Sequence, residues 1–236
     1  MILRAYLPKF LTALFGGLFV ALGILTFGNS NVFDWFFLSV LIFTAIVCRN
    51  NINIVSIVLI LFIQLALNQV VWFALSEHYL VVIFFHVLAL WTIYQFKYDW
   101  VAKIMLLSVI IVITSEVYWF FTDYPRPQIS WYIWLMTSNL FVRYLIFIRV
   151  GIVDSYFPEK GRSTHLDWII YKLSALIILI QAVLIMEYLG RHVLNLSNAL
   201  LIYYSYPYLF QGIATISIWV VFNESYKQLL PHLLKA

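Results

Sequence analysis

Charge is scarce in this chain. Of its 236 residues, 10% are Asp, Glu, Lys or Arg, while 64% are hydrophobic. A soluble domain is about 25% charged and less than half apolar. Too little polar surface remains here to cover an apolar core in water, which excludes a soluble globular fold. Cysteine is almost missing. Cys48 stands alone, so no intrachain disulfide can form. Beside Arg49, Asn50 and Asn51 it reads as a packing residue at a helix end.

The usual signatures of chemistry are missing too. No Gly-rich phosphate loop and no nucleophile–base spacing appears. Five histidines are present. Of these, only His86 lies deep in an apolar run, whereas His78, His165, His192 and His232 lie near run ends. Bis-histidine haem ligation therefore lacks a second ligand at matching depth, and no clustered His and acids suggest zinc. No cofactor and no metal is expected. The net charge of +4 is spread singly along the chain, so no nucleic-acid partner is expected. No internal repeat aligns the first half with the second.

What is abundant is apolar length. Runs of about 17–25 residues read as spanning helices, so the natural solvent is a lipid bilayer. Eight are predicted, at about 10–28, 33–48, 53–75, 79–96, 100–121, 130–148, 166–189 and 197–222. The expected fold is all-α: one polytopic transmembrane domain over 1–236 with short loops. A cytoplasmic loop is expected at 149–165 and an amphipathic tail at 223–236. Turn chemistry marks the breaks, as in "GNSN", "RNNIN", "DYPRPQ" and "GRHVLN". The weakest break is "SEHY" at 76–79. Aromatics reach 19%, as expected of many lipid–water boundary crossings.

Basic residues set the orientation. With the N-terminus cytoplasmic, Arg4, Lys9, Arg49, Lys97, Lys103, Arg149, Lys160, Arg162, Lys227 and Lys235 lie inside. Arg126 and Arg191 lie outside, and Arg143 and Lys172 fall within spans. Ten against two predicts both termini in the cytoplasm, in the cytoplasmic or inner membrane. Arg4 and Lys9 before an apolar stretch, with no Ala-x-Ala site, read as an uncleaved signal anchor.

Polar groups inside spans are the candidate sites. Glu116 lies about five residues, roughly 7–8 Å at 1.5 Å per residue, below the predicted outer end of span five. Tyr118, Trp119, Tyr124, Trp131, Tyr132 and Trp134 form an aromatic belt around it. It is read as a structural carboxylate paired with a Tyr hydroxyl or Arg126, or as a cation or proton site. Gln64 and Asn68 share a face of span three. His86 is expected at the depth of Asn68, so the three form a candidate cluster for packing or proton relay. Thr137, Ser138 and Asn139 lie near the centre of span six. Gln181 and Ser205 are expected at one depth, and Pro207 is expected to bend span eight. Arg143 and Lys172 are read as snorkelling to the boundary, and Glu187 as structural. Ala13, Gly17 and Ala21 form a small-residue row that admits a close neighbour, from this chain or another copy.

These features suit three roles. The first is a non-enzymatic structural or sensing subunit of a larger membrane assembly, with other membrane subunits or further copies as partners. The second is a transporter or channel for a small solute or ion, using the intramembrane polar residues. The third is a membrane-embedded enzyme acting on lipid, which the missing motifs disfavour.

Overall fold

The computed structural model describes residues 2–27, 29–74, 79–124, 129–194, 196, 198 and 200–235, with side chains set aside at 2–6, 30, 70–74, 79 and 230–235. Among these residues the chain is all-α, with eight helices. They are α1 (Ile2–Leu25), α2 (Ser30–Val47), α3 (Ile52–Ala74), α4 (Tyr79–Gln95), α5 (Trp100–Phe121), α6 (Ser130–Tyr156), α7 (His165–Val193) and α8 (Leu201–Lys235). Six of them, all but α2 and α4, are long and apolar enough to cross a membrane, and those two are shorter apolar helices. Large apolar side chains such as Trp35, Leu80 and Phe121 stand on the outer surface, exposed by 70%, 79% and 78%. In water that surface would be costly; against acyl chains it is the expected face. The protein is a multi-pass helical membrane protein. Residues 76–78 of the weakest predicted break and the Pro-rich turn at Arg126 lie outside the described residues.

Local chemistry fixes the helix ends. Asn29 caps α2 by accepting the Val32 N–H at 3.2 Å, and Asp99 caps α5 by accepting the Val101 N–H at 2.9 Å. Thr164 and Asp167 form a reciprocal box at the start of α7. The Thr164 N–H donates to Asp167 Oδ2 at 2.6 Å, and the Asp167 N–H donates to Thr164 Oγ1 at 3.3 Å.

The chain divides into two compact units, Met1–Phe62 with Ile146–Tyr171 and Pro207–Ala236, and Ile63–Leu145 with Lys172–Tyr206. In the first unit, Phe19, Phe33, Val40 and Ile218 are buried together, joining α1, α2 and α8. Phe222 packs on Phe19 with ring centroids 4.8 Å apart. Ser225 Oγ donates to Thr44 Oγ1 at 2.9 Å, and the Tyr226 hydroxyl donates to the Pro8 carbonyl at 3.3 Å. α8 runs without a helical break from span eight through residues 223–235.

The same unit holds a buried ion pair that the sequence did not signal. Arg149, 1% exposed, lies on the part of α6 expected to be loop. Its Nε and Nη2 donate to the two oxygens of Asp167, both at 2.6 Å. Its Nη1 reaches Ser56 Oγ at 3.1 Å and Asn53 Oδ1 at 3.2 Å, and Nη2 also donates to the Arg162 carbonyl at 2.8 Å. Asn53 in turn donates to the Lys160 carbonyl and accepts the Arg162 N–H, both at 2.9 Å. The α6–α7 connection is thereby tied to α3. Gly161 fits this connection because a Cβ there would lie 2.7 Å from the Val150 carbonyl oxygen. α6 therefore continues to Tyr156, and the connection shortens to 157–164.

Candidate functional site

The second unit gathers the polar groups that the spans carry. Phe85 and Trp134 form its apolar centre, 4.8 Å apart, with Leu67, Val81, Leu88 and Trp131 packed around them. The Trp134 ring nitrogen donates to the Leu67 carbonyl at 3.3 Å, which fixes α6 against α3.

A chain of amides crosses four helices beside this centre. Gln64 Nε2 on α3 donates to Asn139 Oδ1 on α6 at 2.9 Å. Asn139 Nδ2 donates to the Leu135 carbonyl at 2.8 Å and, at the long distance of 3.5 Å, toward Gln181 Oε1 on α7. Gln181 Nε2 points at the Tyr206 hydroxyl on α8 at 3.4 Å. Every donor runs in one sense, so the dipoles reinforce one another. Gln181 is fully buried and Asn139 nearly so. Hydrocarbon supplies no competing partners, so such groups satisfy one another.

The expected Gln64, Asn68 and His86 grouping is divided in the structure. Asn68 accepts from Ser138 Oγ at 3.3 Å. His86 turns elsewhere: its Nδ1 donates to the Val82 carbonyl at 2.8 Å, one turn back on α4. Its Nε2 has no hydrogen-bond partner among the described residues and faces Glu116 Oε2 at 3.8 Å. Because Nδ1 carries the hydrogen given to Val82, a neutral ring presents only a lone pair to the carboxylate. A proton on either group turns that contact from repulsive to attractive. Glu116 thus faces a histidine, while Arg126, one of the partners expected from sequence, lies outside the described residues.

Glu116 also lines a groove of about 660 Å³ between α4 and α5. Val82 and Ile83 form one wall, and Trp119, Phe120, Asp123 and Tyr124 continue the other. The groove combines two carboxylates with aromatic faces. Such a lining suits a cation, through charge and through the negative face of the rings. Asp123 closes the end of α5 with φ 49°, a left-handed conformation that Asp tolerates better than most residues.

The other candidates are placed as follows. Ser205 donates to the Leu201 carbonyl of its own helix at 2.8 Å, and its neighbour Tyr206 is the residue that meets Gln181. Pro207 lies exposed within the helical run of α8. Ala13, Gly17 and Ala21 lie together on an exposed strip of α1. Among the described residues, no group of three or more His, Cys, Asp or Glu is arranged to hold a metal ion.

Three roles escaped the sequence. Arg143, read as snorkelling, is buried and donates through Nε to Asp99 Oδ2 at 2.8 Å, so one carboxylate both caps α5 and binds α6. Glu187 accepts the Ile202 and Tyr203 N–H groups at 2.6 and 2.9 Å, which makes it the N-terminal cap of α8 from α7. Asp167 pairs with Arg149 as described above. An acid at a helix start signals the Asp99 and Asp167 caps weakly; their cationic partners, 44 and 18 residues away, leave no sequence signal. No protein family, curated protein or solved structure matches the chain.

Proposed function

We propose that this protein is an eight-span membrane protein with both termini in the cytoplasm, and that it moves protons or a small cation through the Glu116–His86 pair. The supporting observation is the placement of that pair: Nε2 and Oε2 stand 3.8 Å apart, and the carboxylate lines an acidic, aromatic groove. Ionisable groups are costly inside a bilayer and are found where they pair or conduct. The amide chain from Gln64 to Tyr206 would hold the surrounding helices in register while the pair exchanges its proton. The test is a reconstituted flux assay. Liposomes carrying the protein and an internal pH dye are given a potassium–valinomycin potential. Proton or monovalent-cation flux above empty liposomes is expected, with loss in Glu116→Gln and His86→Gln variants that melt like the parent. Parent liposomes that behave like empty ones, or full flux in Glu116→Gln, would refute the reading.

A second reading is favoured by a different feature. The Ala13, Gly17 and Ala21 strip is exposed on α1, and a Cβ added at Gly17 would meet nothing within 4 Å. That strip suits the close helix–helix contact of a subunit in a larger membrane assembly. A purely monomeric parent in native mass spectrometry from mild detergent would count against it.

A further inference from the structure

We infer that the C-terminal end of α7 holds a phosphate-binding site, in which Arg191 grips two oxygens of one phosphate group. The inference does not depend on the flux reading or on the orientation of the chain.

Arg191 lies in the last turn of α7. Its Nε and Nη2 are buried and have no hydrogen-bond partner among the described residues. These two N–H groups leave the same edge of the planar guanidinium in parallel. That edge matches two oxygens of a phosphate or carboxylate. The guanidinium carbon lies over two rings, 5.0 Å from the Tyr203 ring centre and 5.5 Å from that of Tyr188. The rings stabilise the cation, but at best they meet the edge hydrogens as weak N–H···π contacts, far short of an oxyanion.

No acid among the described residues fills this need. Glu187, one turn back, has one oxygen on the Ile202 N–H and the other on the Tyr203 N–H. No carboxylate makes an ion pair with Arg191 among the described residues. A buried donor left unmet costs about 1–3 kcal/mol, and more when charged. The C-terminal helix dipole favours a cation here but supplies no acceptor along that edge. Tyr132 and Tyr188 lie within electrostatic range of Arg191. Tyr188 packs against the tilted His192 ring at 4.5 Å and edge-on against Tyr132 at 6.0 Å, so the rings form a wall beside Arg191.

Depth selects phosphate over carboxylate. α7 has 29 residues. At 1.5 Å per residue it is about 43 Å long, close to the roughly 40–45 Å of a bilayer with its headgroups. Its last turn therefore stands at the level of lipid phosphates. The ligand is a phosphate oxyanion, either on a lipid headgroup or free in solution.

The experiment uses the full chain, delipidated in an uncharged detergent. Its melting temperature is followed with phosphatidylglycerol, with diacylglycerol of the same tails, with inorganic phosphate and with acetate. Phosphatidylglycerol is expected to raise the melting temperature above the diacylglycerol value. Inorganic phosphate acting as strongly would identify free phosphate as the source; phosphatidylglycerol acting alone would identify the headgroup. Arg191→Lys keeps the charge but loses the fork, and should bind roughly tenfold more weakly. Arg191→Met should abolish the shift while the ligand-free variant still melts cooperatively, because the two unmet donors it removes offset the two cation–π contacts it loses. Equal melting with phosphatidylglycerol and diacylglycerol, affinity of Arg191→Lys equal to the parent's, or protection by acetate without phosphate would each overturn the inference.

Discussion

Replacing Arg149 by Met should be one of the two most damaging single changes at the α6–α7 connection of the first unit. The side chain is 1% exposed and donates to Asp167, Ser56, Asn53 and the Arg162 carbonyl. Met fills a similar volume but leaves Asp167 as a buried anion without its cation. Breaking a buried pair from one side costs about 3–5 kcal/mol. For a chain of this size 1 kcal/mol shifts the melting temperature by about 2–4 °C, so a drop of about 6–20 °C is expected. Asp167→Leu alone should cost at least as much, because it also removes the box with Thr164 at the start of α7. The double variant, Arg149→Met with Asp167→Leu, leaves no lone charge. It should recover most of the loss and retain only the missing cap, about 0.5–2 kcal/mol. Thermal melting of the four proteins in one detergent measures the cycle directly. Additive losses, or a drop below about 2 °C for Arg149→Met, would refute the claim that this pair holds the α6–α7 connection to α3.

Three further outcomes are expected. Glu187→Ala frees two N–H groups of α8 and should cost about 1–2 kcal/mol, read as faster hydrogen exchange in the first turn of α8; Glu187→Gln should lose about half of that. Gly23→Ala places a Cβ 2.6 Å from Thr215 Oγ1 and should lower stability by about 1–3 kcal/mol, whereas Gly17→Ala, with open space at its Cβ, should raise monomer stability by up to about 1 kcal/mol through the better helix propensity of Ala. Cys48 is fully buried, so a membrane-permeant maleimide should label it in denatured protein but not in folded protein.

Composition and run length determined the class of this protein. With so few charges and so much apolar length, the sequence admits a helical bundle in lipid and little else, because each helix satisfies its own backbone hydrogen bonds. The same reasoning located the polar groups of the spans, since Gln64, Asn68, His86, Glu116, Asn139 and Gln181 stand out against hydrocarbon neighbours. Tertiary structure alone decided their partners. Depth along a helix can be counted from a turn, but the face a side chain presents depends on how each helix is rotated against the next. For that reason Gln64 and Asn68 meet α6, while His86, at the depth of Asn68 by count, meets Glu116 on α5. The buried charges show the same limit more sharply. Arg143 and Arg149 stand near predicted helix ends, where a long side chain could equally reach water. Asp99 and Asp167 capture them because each acid already sits at a helix start, held by the N–H groups there. Such pairs span 44 and 18 residues, and it is the packing of α6 against its neighbours that brings them within hydrogen-bond reach.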